Sequence, residues 1–369
     1  MVTLALEQVL VVGDAGGPVL DGVDLTCPSG DLTVLIGPTG AGTTTVLRVL
    51  AGTQRADEGR VSFGCDDATR WRPGQRNVAV VDQQATVFTH LSVERNVAAA
   101  LDALRLPRDE VERRVHAELR AVGLAGRARA RPSRLSAGDR QRLAIARALV
   151  RRPAAFLLDD PFDAVDVHER SRLRAELRQL QQSLGITTVL ATHQPGEALA
   201  LADHLVILDD GRVAQAGTAQ GCYDEPATTL VAELLSPRGI ALVDVIVDAD
   251  HLRLGAHALA QRVLAGPRVH HALPDGATAI LALRPEALHP IEGGGPAGPA
   301  EAPRVVGSIV RARGVGTERE VVARLEPQGP DVRVTASEGL AEGDGVLLEV
   351  DRAKALLFDI EGRLLTPLA

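Results

Sequence analysis

Residues 33–51 read TVLIGPTGAGTTTVLRVLA, and their pattern decides the fold. The opening TVLI is a short apolar run of the kind that forms a buried strand, and TTTVLRVLA has the apolar spacing of a helix. Between them Gly37, Pro38, Thr39, Gly40, Ala41 and Gly42 form a glycine-rich turn. Such a turn lets backbone N–H groups close around phosphates, with the positive end of the next helix behind them. The phosphate-loop pattern G-x-x-x-x-G-K-[ST] is met at Gly37, Gly42 and Thr44, but Thr43 holds the lysine position. Thr44 stands where a hydroxyl would bind Mg2+, and Thr45 follows it. Thr43 brings no charge to the β- and γ-phosphates. Arg48 lies too far along the helix to replace it.

Outward from this loop, strands alternate with helices. VLVV (9–12) and VDLT (23–26) read as strands, and residues from about 93 to 150 read as helical. AAFLLDD (154–160) and TTVLAT (187–192) read as strands flanking a helix over 169–185. Alternation of this kind predicts a largely parallel sheet covered on both faces. Near residue 238 the pattern changes to short strand-like pieces with Gly/Pro turns, which predicts a second, β-rich domain. GGGPAGPAEAP (293–303) reads as a loop or short linker inside it.

Composition narrows the function classes. Hydrophobic residues make up 45% and charged residues 24%, a globular balance. No apolar run is long enough to span a bilayer, and the start lacks a basic region and cleavage site. The three cysteines, Cys27, Cys65 and Cys222, are too dispersed for a disulfide frame or metal cluster. These features fit a cytosolic protein. A net charge of −8 and 2% aromatics argue against a nucleic-acid partner. Of 40 Lys plus Arg, Lys354 is the one lysine, which matters wherever chemistry wants lysine.

Further chemical groups follow the loop in order. Gln83 ends a strand before ATVFTHLSVERNV; LSAGDRQRLAIARAL (135–149) opens a helix; FLLDDP (156–161) ends in Asp159 and Asp160; DAVD spans 163–166; His193 ends a strand. Asp159 is suited to hold Mg2+ through water, Gln83 to sense the metal and γ-phosphate, and His193 to contact the γ-phosphate.

In these residues the chain resembles the ATP-binding subunit of an ABC transporter, over about residues 3–235. The matching pieces are the Walker A-like 37–45, the Q-loop Gln83, the signature-like Leu135-Ser136-Ala137-Gly138-Asp139, the Walker B Asp159, the D-loop ending at Asp166 and the switch His193. LALRPEAL (281–288) and LLFDIEGRLL (356–365) are similar to the regulatory tail of maltose/multiple-sugar importers. The resemblance implies a P-loop NTPase (ABC-type) α/β domain, residues 1–237, with a helical subdomain at about 84–145. An all-β, oligonucleotide-binding-like regulatory domain, 238–369, would follow. It implies ATP and Mg2+ as cofactors. Nucleotide would meet residues 37–45 together with Ser136 and Gly138, metal would meet Thr44, Gln83 and Asp159, and catalysis would involve Asp160, His193 and Gln83. Ser136 and Gly138 of one chain would face the glycine loop of another, in a homodimer or a heterodimer with a second ATP-binding chain. The implied partners are membrane permease subunits, reached through the segment after Gln83, where Val87, Phe88 and Leu91 are candidate lining residues. An extracytoplasmic solute-binding protein would act indirectly. The implied location is peripheral, on the cytoplasmic face of the membrane.

The sequence also departs from that family. Lysine is replaced by Thr43. The glutamate that polarises attacking water is replaced by Asp160, whose carboxylate is one methylene shorter. The signature reads LSAGD where LSGGQ is usual, so Asp139 brings negative charge. No aromatic near residues 10–20 is available to stack on adenine; Val12 or a neighbour holds that place. Together these changes predict weakened or lost hydrolysis, and a degenerate regulatory or heterodimer subunit is the competing expectation.

Overall fold

The computed structural model describes residues 2–84, 86–248, 251–254, 261–264, 273–291, 304–315, 318–325, 329–336 and 340–367. The stretch 293–303, expected as a loop, lies outside the described residues. The chain divides into two compact units, Met1–Ala219 and Gln220–Ala369.

In the first unit, β1 (Leu4–Val12) and β2 (Pro18–Cys27) pair antiparallel. β3 (Leu32–Ile36) leads through the glycine loop into α1 (Thr43–Ala51). β4 (Glu58–Phe63) and β5 (Asp66–Asp67) complete a small antiparallel sheet in the order β2-β1-β4-β5. After β6 (Val78–Val81) come α2 (Val93–Ala99), α3 (Arg108–Ala121) and α4 (Ala137–Leu149), which pack on one another. β7 (Ala155–Asp159), α5 (Val167–Leu184), β8 (Thr187–Thr192), α6 (Pro195–Leu201), β9 (His204–Asp209) and β10 (Arg212–Gly217) follow. The larger sheet runs β10-β9-β3-β8-β7-β6 and is parallel except for β10.

Every residue of β3 and β8 is buried, as an apolar run covered on both faces requires. The carboxyl ends of β3, β6, β7 and β8 lie along one edge of that sheet. The glycine loop, Gln83, the Asp159–Asp160 pair and His193 follow those ends, the place where open α/β sheets build sites. Polar caps start the helices that flank them. Ser92 caps α2, Ser136 caps α4 and Asp166 caps α5 with its side-chain oxygens, and Gly185 closes α5 in the left-handed region. The helix expected from residue 93 is shorter than its apolar pattern. It stops at Ala99, a single turn follows at Asp102–Leu104, and Arg105 takes φ 50°. Pro107 then keeps Leu106 out of helical backbone and separates this stretch from α3, since a proline drives the residue before it away from that conformation.

α7 (Ala219–Asp224), all but its first residue in the second unit, and α8 (Thr229–Leu234) open that unit. Its strands are β11 (Ala241–Asp248), β12 (His251–Leu254), β13 (Gln261–Leu264), β14 (Thr278–Leu283), β15 (Leu288–Pro290) and β16 (Arg304–Val315). β17 (Glu318–Leu325), β18 (Asp331–Ala336), β19 (Gly345–Val350), β20 (Leu356–Phe358) and β21 (Leu364–Pro367) complete it. They form two antiparallel sheets, β13-β12-β11-β14-β20-β21 and β15-β19-β16-β17-β18, around one apolar core that includes Val245, Leu281, Val321 and Leu348.

Contacts divide the chain ahead of residue 238, where the sequence pattern changes, because α7 and α8 fasten to the strands. Ala232 of α8 packs with Ala282, Leu356 and Phe358. Arg284, only 4% exposed, lies 3.7 Å from the ring centre of Tyr223 and donates to the Tyr223 carbonyl (2.6 Å) and Ser236 Oγ (3.2 Å). Lys354 pairs with Asp351 at 3.0 Å in this unit. No helix among the described residues is long and apolar enough to cross a membrane.

Candidate functional site

Gly42 shows why the loop needs glycine. It is the N-cap of α1 at φ 99°, and a Cβ there would lie 2.7 Å from Leu20 Cδ2. The loop therefore turns sharply into α1 with Gly37, Pro38, Thr39, Gly40 and Ala41 before it. Thr43 and Thr44 are partly exposed, while Thr45 is buried. The Thr44 hydroxyl donates to Asp159 Oδ1 at 3.0 Å, so the end of β7 meets the first turn of α1. Burial pushes the Asp159 carboxyl above the usual carboxylate range; the Thr44 hydrogen bond opposes this and the neighbouring Asp160 and Asp82 charges add to it. Arg48 is exposed and, among the described residues, its side chain makes no hydrogen bond to the loop; its charge pulls the Asp159 carboxyl down from a distance.

Asp160 adopts φ 43° at the turn leaving β7, and its backbone N–H donates to the Ala191 carbonyl (2.9 Å). That turn swings its carboxylate toward β8. His193 Nδ1 lies 2.9 Å from Asp160 Oδ1, and the His193 backbone N–H donates to the same oxygen at 3.3 Å. A carboxylate only accepts, so Nδ1 donates to Asp160, while Nε2 lies 2.9 Å from Gln194 Nε2. Gln83, expected near the metal, donates its amide NH2 to Asp163 Oδ2 at 2.9 Å. Asp163 Oδ1 is 3.9 Å from His193 Nε2, beyond hydrogen-bond reach. The structure thus joins Thr44 to Asp159, Asp160 to His193, and Gln83 to Asp163.

Ser136 and Gly138 stand apart from that cluster; among the described residues no hydrogen bond ties them to the glycine loop. Ser136 Oγ accepts from the Asp139 N–H at 3.1 Å. A Cβ on Gly138 would lie 2.3 Å from Glu169 Oε1, so any other residue there would have to push the Glu169 carboxylate aside. The charge of Asp139 does not stand alone. Arg127 pairs with it, and Arg142 Nη1 lies 3.0 Å from Asp139 and 3.3 Å from Glu169, with its Nε 2.8 Å from Glu176. The negative charge that Asp139 brings to the signature is thus shared, within the chain, with two arginines.

Sequence reasoning gave Asp163 no role beyond its place in DAVD and passed over Glu169 and Arg142. The run of carboxylates in DDPFDAVD was a visible signal for the first. The acid–base spacing of Asp139 and Arg142, three apart on one helix, was available for the last.

A second concavity, of about 470 Å3, runs beside β6, α2 and α4. Val80, Asp82, Thr86, Phe88, Ala144 and Arg147 line it. Val80 and Phe88 are half-exposed. The Arg147 guanidinium sits 4.2 Å from the Phe88 ring centre and donates to the Thr86 carbonyl at 2.9 Å. Phe88 is therefore at the groove, whereas Val87 and Leu91, partly buried, do not line it. Val12, at the end of β1, is 45% exposed.

Residues 20–163 match the ABC transporter family. The spermidine/putrescine import ATP-binding protein PotA of Nitratidesulfovibrio vulgaris is 37% identical over 79% of this chain and 79% of its own length. The sn-glycerol-3-phosphate import ATP-binding protein UgpC of Chromohalobacter salexigens is 33% identical over 98% of this chain and 95% of its own. The Fe(3+) ions import ATP-binding protein FbpC 1 of Rhizobium meliloti is 38% identical over 65% of this chain and 69% of its own. Among solved structures, cbiO1 from Clostridium perfringens, part of the ABC transporter complex cbiONQ, superposes with a TM-score of 0.57 at 26% identity. That match covers 60% of this chain and 90% of cbiO1.

Proposed function

The chain belongs to the ABC transporter family, as an ATP-binding protein of the import type, and from that premise we propose that it couples MgATP to solute uptake through membrane permeases with a low hydrolysis rate. The observation that carries this reading is the Thr44–Asp159 pair at the mouth of the glycine loop. A threonine hydroxyl, an aspartate oxygen and the carbonyl oxygen of Gln83 are hard oxygen donors. Mg2+ held jointly with nucleotide phosphates takes such a short protein set. Bound there, Mg2+ would supply positive charge against the phosphate oxygens.

The chain's own residues supply the rest. Backbone N–H groups of residues 37–45 and the α1 N-terminus receive phosphate charge. Asp160 fixes the imidazole of His193, and that pair would orient an attacking water. Ser136 and Gly138 at the start of α4 would receive the nucleotide of a second ATP-binding chain, in a homodimer or heterodimer. The groove at Phe88 and Val80 is the surface we assign to a permease segment, which holds the chain peripherally at the membrane. Residues 238–369 would act as the regulatory domain, and an extracytoplasmic solute-binding protein would act indirectly. The solute is proposed as a sugar or a related small polar molecule. The relatives are named for polyamine, sn-glycerol-3-phosphate and ferric-ion import, so the permeases and binding protein set that choice.

A second reading has its own observation. Thr43 brings no cation, and Asp160 is held by His193 rather than reaching outward. A subunit that binds nucleotide but barely hydrolyses it, beside an intact second chain, would look the same. Both readings share a low hydrolysis rate, and one assay tests it. The chain assembled with its permeases should bind MgATP measurably and release phosphate slowly. Thr43→Lys with Asp160→Glu should raise phosphate release by about 10²–10³, since one preorganised donor is worth that much alone. Equal rates in wild type and double mutant would overturn the low-rate reading. No MgATP binding would overturn the nucleotide site itself.

A further inference from the structure

We propose that Asp163 is a positioning residue that turns the Gln83 side chain so that its carbonyl oxygen, and not its NH2 group, faces the metal. The inference rests on the nucleotide and metal reading above and goes beyond it by giving Asp163, the first residue of DAVD, a role of its own within the chain.

A side-chain amide has two ends of nearly the same shape and opposite chemistry. The oxygen can ligate a cation, and the NH2 group cannot. A glutamine at a metal site is therefore useful only in one of two orientations related by a half-turn of its last torsion. Gln83 is exposed at the end of β6, so packing does not make that choice. Asp163 does. Its ionised carboxylate is acceptor-only, and Gln83 Nε2 donates to its Oδ2 at 2.9 Å. The flipped amide would set oxygen against oxygen. With Nε2 engaged, Oε1 has no hydrogen-bond donor among the described residues and is left for a cation.

Asp163 is itself held in place. Its backbone N–H donates to the Asp160 carbonyl at 3.2 Å, and Arg170 Nη2, from the first turns of α5, donates to the Asp163 carbonyl at 3.4 Å and the Val165 carbonyl at 3.1 Å. His193 Nε2, 3.9 Å from Asp163 Oδ1, is too distant to compete for the carboxylate. Charge, geometry and anchorage make Asp163 an outer partner of the metal site in the way that a carboxylate orients a metal-bound histidine.

The test uses the purified full chain with Mn2+ in place of Mg2+, read by electron paramagnetic resonance in the presence of ATP, with metal-free ATP affinity measured separately. Asp163→Asn keeps the shape of the side chain but removes the acceptor-only rule, because an asparagine amide pairs with either end of Gln83. It should weaken Mn2+ binding by about tenfold, the usual loss when an outer partner of a ligand is removed, and leave metal-free ATP affinity unchanged. Asp163→Glu, which stays acceptor-only, should restore much of the loss. Gln83→Ala should weaken Mn2+ about as much, and Asp163→Asn added to it should do no more. Wild-type Mn2+ affinity in Asp163→Asn would overturn the inference. So would equal loss of metal-free ATP binding, or additive losses in the double variant. If the wild-type chain binds ATP with no effect of Mn2+, the metal reading fails as well, and if it binds neither, the nucleotide reading fails first.

Discussion

Glu118, on α3, shows how one residue ties this fold to pH. Burial pushes its carboxyl up to about 7, with Arg152 pulling weakly the other way. The folded chain therefore holds this proton more tightly than the unfolded chain does. The stability this provides is complete below the ordinary carboxylate range and is lost as pH rises through about 7. Glu118→Gln has no proton to lose. It should match wild type at pH 5 and exceed it at pH 8, by of order 1 kcal/mol once solvent screening is allowed for. Urea unfolding at the two pH values measures the difference; a gap that does not change with pH would show that burial is not what Glu118 feels. At the same scale, Thr43 and Asp160 were legible as losses from the sequence alone, because a missing charge and a shorter side chain need no coordinates. Where the Asp160 carboxylate goes was not legible. Its φ of 43° directs it to His193, and no spacing rule predicts a left-handed aspartate.

Among the elements, the strand–loop–helix of residues 33–51 was the clearest, since an apolar run, glycines and helical spacing agree. β7 and β8 were legible for the same reason. The end of α2 was not, because the apolar pattern continues past Ala99 and carries no signal for the left-handed turn at Arg105; Pro107 marks only the break before α3. Gln83 and Asp163 lie on elements that the sequence separates widely, and only the parallel order β7-β6 brings them together. α5 carries a prediction at this scale. Asp166 accepts from the His168 and Glu169 N–H groups at 3.1 and 3.0 Å. Asp166→Ala leaves those donors without their cap and should cost about 1 kcal/mol. Asp166→Ser should recover most of it. Thermal melts that place the alanine and serine variants together would remove the cap from the account of how α5 starts.

Across the whole molecule, the sequence signalled two architectures but set their seam by a change of pattern. Contacts set it by α7 and α8, which the β-rich unit claims through Arg284, Tyr223 and Ser236. Removing the guanidinium would leave the Tyr223 carbonyl and Ser236 hydroxyl short of a donor in a dry place. Arg284→Met should lower the stability of the second unit by about 2–3 kcal/mol. Hydrogen exchange should then quicken in β11 and β14 while β3 and β8 of the first unit keep wild-type protection. Equal loss of protection in both units would mean that Arg284 is not a fastening of the second unit alone.

Lys354 has a consequence for anyone who profiles nucleotide-binding proteins by chemistry. Probes built on acyl phosphates of ATP report a phosphate loop by acylating a lysine amine within reach of the bound nucleotide. This chain's sole lysine side chain sits in the second unit, tied to Asp351 at 3.0 Å, and Thr43 offers no amine in its place. The glycine loop itself therefore gives such a probe no amine to acylate. A survey that scores acylation at the phosphate-loop lysine would have no such position to read in this chain, whatever its affinity for nucleotide.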